Sequence, residues 1–410
     1  MKLRTWCLFL AFFLGLSFFL TGELLGETWK AREFRAAWER AAWRFGPLRL
    51  QPVIVIREAG YDSNIYYHPE AISDFWLTAG PGLDAYLMVK KRLLVHVFES
   101  PQYVYFFKTE RERTWNNYLN GEVSLSFNRF LLTAGGALNN ARERWNTEID
   151  IRPRRKEARG FVSLLYQRSY RVSLEITALR TDYQYESINY GSVNLGERLS
   201  HLATYWSGKF YYRLTPRVQF FLEGVWGKYD FKDPGNPGDS RSQTIYSGLD
   251  FSPTGRLRGQ VRLGYKNFDT IVGGLPDFKG LVGDTSVSWL LFRPMLLRGS
   301  FRRDVNFSIW SNNPFYIGNS WSAGSSFYLF RKKIRLDYTY SQFRNDYPLG
   351  EVPGSEPRQD DYTLNSFGLY YRISKTAGIG LTGGFWKRRV NVLNWDAERR
   401  FVGLNLTYEF

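Results

Sequence analysis

The chain has 410 residues, 44% of them apolar, yet its mean hydropathy is -0.37 and no internal run reaches the roughly 20 apolar residues of a membrane-spanning helix. A formal charge of +16 would suggest nucleic acid as the partner of a cytosolic protein, but the N-terminus reads as an export signal and argues against that. Tyr, Phe and Trp number 27, 32 and 14 beside only 3 Met, a surplus that the interfacial girdles of a membrane β-barrel explain better than a soluble core does.

Lys2 and Arg4 precede the short apolar stretch from Leu8 to Leu20, the pattern of a secretory signal peptide over residues 1–26, with Gly22 or Gly26 as the last residue removed. A bilayer-spanning anchor is the alternative, and the shortness of the apolar core speaks against it. Cys7 lies before that core, so the mature chain carries no cysteine. Disulfides and thiolate–metal sites are thereby excluded. No Walker motif, dinucleotide fingerprint or His/Cys cluster is present either, and no cofactor is expected.

Residues 27–46 form a short segment of helical spacing. Trp29, Phe34, Trp38, Ala41, Ala42 and Phe45 fall near one face, and Gly46-Pro47 ends the run. The pattern predicts a periplasmic amphipathic helix that lies on the membrane, caps a barrel mouth, or packs as a simple leader.

From residue 47 to 410 the period becomes two. Short connectors such as Lys90-Lys91-Arg92, Asn128-Arg129, Thr215-Pro216-Arg217, Arg293-Pro294 and Ser374-Lys375-Thr376-Ala377 alternate with long ones, roughly 58–74, 109–114, 145–157, 187–199, 231–241, 270–279, 310–316, 346–360 and 391–397. They delimit about 18 strands (16–18), an even number, with both ends on the short-turn side. Sorting of this kind is the mark of an outer-membrane barrel, with short periplasmic turns and long extracellular loops. The expected fold is therefore an all-β, closed, antiparallel transmembrane barrel, since backbone groups in lipid must all be paired.

Individual strands carry the same pattern. Val218, Phe220, Leu222 and Trp226 alternate with Gln219, Glu223 and Gly227, and Leu257, Val261, Leu263 and Tyr265 with Arg258, Gln260, Arg262, Gly264 and Lys266. Two segments fit poorly. Arg303 falls on the apolar side of 295–309, and Glu99 and Pro101 break the phase of 93–107; a bulge would shift either register, whereas a charge at the lipid midplane costs about 2–4 kcal/mol.

A barrel of this size encloses an aqueous lumen, and the default function is a porin-like channel for diffusion or export of hydrophilic solutes. The inward positions carry Arg258, Arg262 and Lys266 on one strand and Arg298 and Arg302 two strands on. Such rows either set an anion preference through their field or pair with Glu223, Asp250, Asp284, Asp304 and Asp337 and brace the wall. Residues Gly255 to Asp269 and the Tyr61-Asp62-Ser63-Asn64 loop resemble the β-barrel porin-2 type of bacterial outer-membrane protein. Some members of that family are associated with exopolysaccharide systems, so the resemblance implies polysaccharide as one cargo. It implies no catalytic residues.

Two other roles stay open. One is a non-conducting structural or surface-interaction barrel, for which the loop from Gly350 to Asp361 would serve as a flexible binding tip. The remoter one is a barrel enzyme built on His68 and His201 at the rim with Asp62 or Asp74 nearby; His96 lies by a periplasmic turn. A plugged siderophore-type transporter is not expected, because the segment between Gly26 and Pro47 is too short for a plug. The first loop, Gly60-Tyr61-Asp62-Ser63-Asn64, reads as an Asx-type turn or, more sharply, as a Ca²⁺ or sugar site.

The chain ends on Val402, Leu404, Leu406, Tyr408 and Phe410, alternating with Gly403, Asn405, Thr407 and Glu409. This resembles the C-terminal targeting strand of outer-membrane barrels. Leu404, Leu406, Tyr408 and Phe410 are the expected assembly signal, and the strand is expected to close on the one near 48–57, with Asn405, Thr407 and Glu409 toward the lumen. The implied partners are outer-membrane lipids, the barrel assembly machinery of a Gram-negative cell, and small hydrophilic or anionic solutes or polysaccharide.

Overall fold

Strands with one apolar and one polar face satisfy lipid on one side and water on the other only if every backbone group also finds a neighbour. The chain meets that demand with eighteen antiparallel strands closed into a barrel. The computed structural model describes residues 29–90, 92–251, 256–310, 312–350, 355–391 and 395–409. Residues 1–26, expected from the sequence to be a signal peptide, and Phe410 lie outside the described residues. No described helix is long and apolar enough to cross a membrane.

The strands are β1 (Leu48–Asp62), β2 (Asp74–Val89), β3 (Leu93–Phe106), β4 (Thr114–Phe127) and β5 (Phe130–Arg142). There follow β6 (Arg154–Gln167), β7 (Val172–Tyr185), β8 (His201–Thr215), β9 (Val218–Phe231) and β10 (Ser240–Phe251). Next come β11 (Leu257–Thr270), β12 (Phe278–Phe292), β13 (Met295–Phe307) and β14 (Phe315–Leu329). The last four are β15 (Ile334–Asp346), β16 (Gln359–Arg372), β17 (Ala377–Val390) and β18 (Ala397–Glu409). Each pairs with the next, and β1 pairs with β18 from Val53↔Glu409 to Asp62↔Phe401, which closes the ring as the terminal alternation predicts.

Short turns and long loops sort to opposite ends. The turns use left-handed backbone at Lys90 (φ 48°) and Asn128 (φ 49°). The wall faces follow the expected parity. On β9, Leu222 and Trp226 point out while Phe221 and Tyr229 are buried inside. Ile245 and Leu281 are 72% and 70% exposed on the outer wall, an exposure that water would penalise and hydrocarbon does not. On β18 Val402, Leu404 and Tyr408 are likewise exposed outside, and Gly403 is buried within.

Four boundaries and registers differ from the sequence expectation. The helix α1 (Trp29–Arg40) stops before Trp43–Phe45, which is extended and pairs with Leu48–Leu50 across a turn at Gly46 (φ +57°). The physical reason is an open edge: β18 covers β1 only from Val53 on, so residues 48–50 would otherwise present unpaired backbone. Gly60, Tyr61 and Asp62 belong to β1, and the first loop begins at Ser63. Arg303 stays on the outer wall without a bulge; it lies toward the extracellular end and is bonded to the Leu281 carbonyl (3.0 Å) and the Asn319 amide oxygen (2.6 Å). Glu99 and Pro101 also keep phase. The β2–β3 ladder lapses instead between Ala79↔Tyr103 and Leu83↔Glu99, where Pro81 faces Pro101 and neither has an N–H to give.

The helix α1 docks at the short-turn mouth. Phe34 meets the inward ring of Tyr86 edge-on at 5.6 Å, the Trp38 indole N–H donates to the Pro47 carbonyl at 2.9 Å, and the Arg49 guanidinium lies 4.1 Å over Trp38. These contacts set α1 against the inward side of the wall at the short-turn end.

Candidate functional site

The lumen wall follows from strand parity. Arg258, Arg262 and Lys266 occupy alternate inward positions on β11, and Arg298 and Arg302 do so on β13. Between them Asp284 of β12 stands opposite both Arg262 and Arg302. Glu223 faces inward on β9 and Asp337 on β15.

Several of these charges pair across strands. The Arg262 guanidinium lies 3.7 Å over the Tyr246 ring and reaches Glu223 at 3.1 Å, where Lys209 also approaches at 4.0 Å. Lys266 pairs with Asp304. Asp337 is shared by Arg335 at 3.0 Å and Arg298 at 3.6 Å, and it accepts from Ser326. Asp250 accepts from the Gln260 amide at 2.6 Å. Arg258 and Arg302, by contrast, form no ion pair among the described residues, and both are exposed. Among these predicted positions, the wall is therefore braced at some rungs and leaves the guanidinium groups of Arg258 and Arg302 open to the lumen.

Sequence reasoning did not find the other half of the site. The loop of residues 143–153 joins β5 to β6, yet it also bonds β15, β16 and β17, nearly half the ring away. It therefore spans the extracellular mouth. Arg388 on β17 donates both terminal nitrogens to Asp150, at 2.8 and 3.0 Å, and each residue is only 1% exposed at its side chain. A bidentate fork of this kind fixes orientation as well as distance. Arg144 adds a bond to Asp150 at 3.2 Å and lies 4.2 Å over the ring of Tyr67, which comes from the first loop.

Glu148 of the same loop is buried. Its carboxylate accepts from the Ser308 hydroxyl (2.7 Å), the Tyr347 hydroxyl (2.8 Å) and the Ile309 N–H (3.1 Å). Burial nonetheless pushes its pKa up to about 7, because those bonds and nearby Arg358 only partly offset desolvation. Around it an apolar seal forms from Ile149, Leu195, Leu199 and Ile309, each 4% exposed or less. Leu195 and Leu199 come from the short helix α2 (Leu195–Leu199), whose N-cap Asn194 accepts from Gly196 and Glu197. Arg198 of α2 ties this piece to the Ile309 carbonyl at 3.0 Å. The one sequence signal for the lid was local: Ile149 and Ile151 alternate with Glu148, Asp150 and Arg152 inside a connector that should be polar throughout.

The three histidines do not meet. His68 lies in the first loop with its N–H bonded to the Asn64 amide oxygen at 3.1 Å. His96 bonds Asp84 at 2.7 Å near the other end of the barrel. His201 is buried between Tyr183 and Phe231, each ring 4.7 Å away, with Nδ1 2.7 Å from the Leu199 carbonyl. Asp62 and Asn64 serve the turn: Asp62 accepts from the Asn64 N–H at 2.9 Å and from Arg399 at 2.8 Å. Among the described residues no group of three or more His, Cys, Asp and Glu could hold a metal ion.

Comparison with known proteins bears on the whole barrel. Pseudomonas aeruginosa OccK3 (OpdO) superposes with a TM-score of 0.50 at 12% identity, covering 88% of this chain and 95% of that one. Acinetobacter baumannii OccAB3 gives 0.51 at 11%, covering 88% and 99%. At such identities the likeness is one of fold. No curated protein matches the chain. A family model described as "Putative beta-barrel porin 2" matches residues 41–410. That match takes in every barrel strand, and the chain belongs to this family of porin-like outer-membrane β-barrels.

Proposed function

We propose that the protein is a gated channel for small hydrophilic solutes, with a preference for anions, whose mouth is closed by the loop of residues 143–153 in the conformation described. The observation that carries this reading is the inward face of an eighteen-strand wall on which Arg258 and Arg302 stand without ion pairs. Barrels of about that strand number leave an aqueous interior, and unpaired guanidinium groups on a narrow wall raise the local concentration of anions.

Replacing Arg258, Arg262, Arg298 and Arg302 together by Gln is expected to shift the reversal potential in a salt gradient toward cation preference. An unchanged anion-to-cation ratio would sink the anion part of the reading. Export of polysaccharide on the same path requires the lid to move aside, and uptake assays in liposomes with sugars and carboxylates of graded size discriminate the cargo.

A second reading rests on the lid itself. Its seal around Ile149 and Ile309 is as dry as a protein core, which suits a non-conducting scaffold that displays its loops. Neither reading requires an enzymatic role. In both, residues 1–26 direct export, residues 27–46 form a periplasmic segment at the barrel mouth, and the last strand is what the assembly machinery reads.

A further inference from the structure

The outer wall is not smooth between β14 and β1. Gly383 of β17 leaves a notch between the outward side chains of Leu381 and Phe385, and the notch belongs to an open-sided apolar groove. Its upper part, about 270 Å³, is bordered by Arg400; its lower part, about 520 Å³, reaches Leu381. Phe367, Gly383 and Val402 border both parts, so the groove is continuous.

Its upper end is cationic. Outward register positions there hold Arg344 on β15, Lys387 and Arg389 on β17 and Arg400 on β18. Asp361 occupies Arg344 at 2.7 Å, and Glu398 occupies Lys387 at 2.5 Å. Arg389 and Arg400 are exposed and form no ion pair among the described residues.

The dimensions match a lipid leaflet. From Arg389 to Leu381, β17 descends eight residues, roughly 26 Å along the strand and about 19 Å across a bilayer at a tilt near 45°. One leaflet of a hydrocarbon core is about 15 Å deep. Guanidinium groups bind phosphate with two parallel bonds, and a hydrocarbon-lined notch below them has an acyl chain as its natural filling.

We propose that this groove is a binding site for a phosphorylated, acylated lipid of the outer leaflet, with an acyl chain against Gly383 and a phosphate held by Arg389 and Arg400. The inference does not depend on whether the barrel conducts. The site differs from a general basic rim in that one of its two open guanidinium groups, that of Arg400, borders the groove itself.

The test is native mass spectrometry of the full barrel in detergent, titrated with bisphosphorylated lipid A, with the same lipid stripped of its phosphates, and with phosphatidylethanolamine. The phosphorylated lipid is expected to bind at least tenfold more tightly than either control. Arg389→Gln with Arg400→Gln should weaken it about tenfold or more, as roughly 1 kcal/mol per basic side chain implies. Val402→Phe, which fills the groove and leaves the charges, should weaken it too. Lys156→Gln with Arg180→Gln, on the outer wall of β6 and β7, should leave it unchanged. Heat-modifiable migration on gels reports that each variant is folded. Equal binding of the dephosphorylated lipid, or an equal loss in the Lys156 and Arg180 variant, would overturn the proposal.

Discussion

Asp150 and Arg388 are 238 residues apart in sequence and bonded through both oxygens. Removing one partner of such a pair leaves the other charge buried and costs about 3–5 kcal/mol. Asp150→Ala should therefore release the lid, seen as trypsin cleavage after Arg144 and as new channel current. Asp150→Leu with Arg388→Met should restore resistance in part, since an apolar pair of similar volume removes both charges of the fork but leaves Arg144 without its carboxylate. A lid that stays protease-resistant in Asp150→Ala would refute the latch. Glu148 adds a pH term. Its carboxyl is faced by Tyr347 and Arg358 from the 347–358 loop, by Arg198 of α2, by Tyr316 of β14 and, through Tyr347, by Asp360. Docked, its pKa is about 7; undocked, it returns toward 4.5. The docked lid thus binds the proton more tightly, so docking is strongest below about pH 4.5 and weakens as pH rises through 7, by up to ~3 kcal/mol. Open probability should rise between pH 5 and pH 8, and Glu148→Gln should flatten that rise. A wild-type channel with no pH dependence over this range would remove Glu148 from the gate.

At the scale of the element, β18 shows how far local pattern reaches. Its alternation specifies which side chains meet lipid, and a slip of one residue would turn Leu404, Leu406 and Tyr408 into the lumen. Replacing those three by Ser should lower the amount of barrel in the outer membrane about tenfold or more, while barrels that do form keep their single-channel conductance. Deleting Phe410 should act the same way. Membrane levels that stayed normal would mean that the strand closes the barrel without serving as a signal. The N-terminal segment marks where local pattern misleads. Phe45 shares the helical spacing of Phe34 and Trp38, but a free edge on β1 competes for the backbone of residues 43–45, and pairing with Leu48–Leu50 wins over one more helical turn. Arg303 and Glu99 teach the converse. Each breaks the apolar pattern, yet neither shifts the register, because a bulge would misplace every later side chain on its strand whereas one outward charge can be met by its neighbours.

For the whole molecule the decisive question is whether the lid is a gate or a fixture. Deleting residues 145–152 and rejoining β5 to β6 with a short Gly/Ser turn should leave the barrel folded, because no strand pair passes through that segment. A gated channel would then show a large, steady conductance, and a scaffold barrel would stay silent.

The alternation of polar and apolar residues, and the sorting of short and long connectors, were enough to determine the barrel, its strand number and the compartment. Both are local properties, since each strand needs only its own two faces to know where lipid lies. The closing pair of strands was legible for the same reason. The latch was not. Asp150, Arg388, Glu148, Ser308 and Tyr347 come from segments that are distant in sequence, and a loop charge that will be buried looks in sequence like one that stays in water. Only the closed ring brings the 143–153 loop over the opposite wall, and only there does desolvation select the partners that its charges must have.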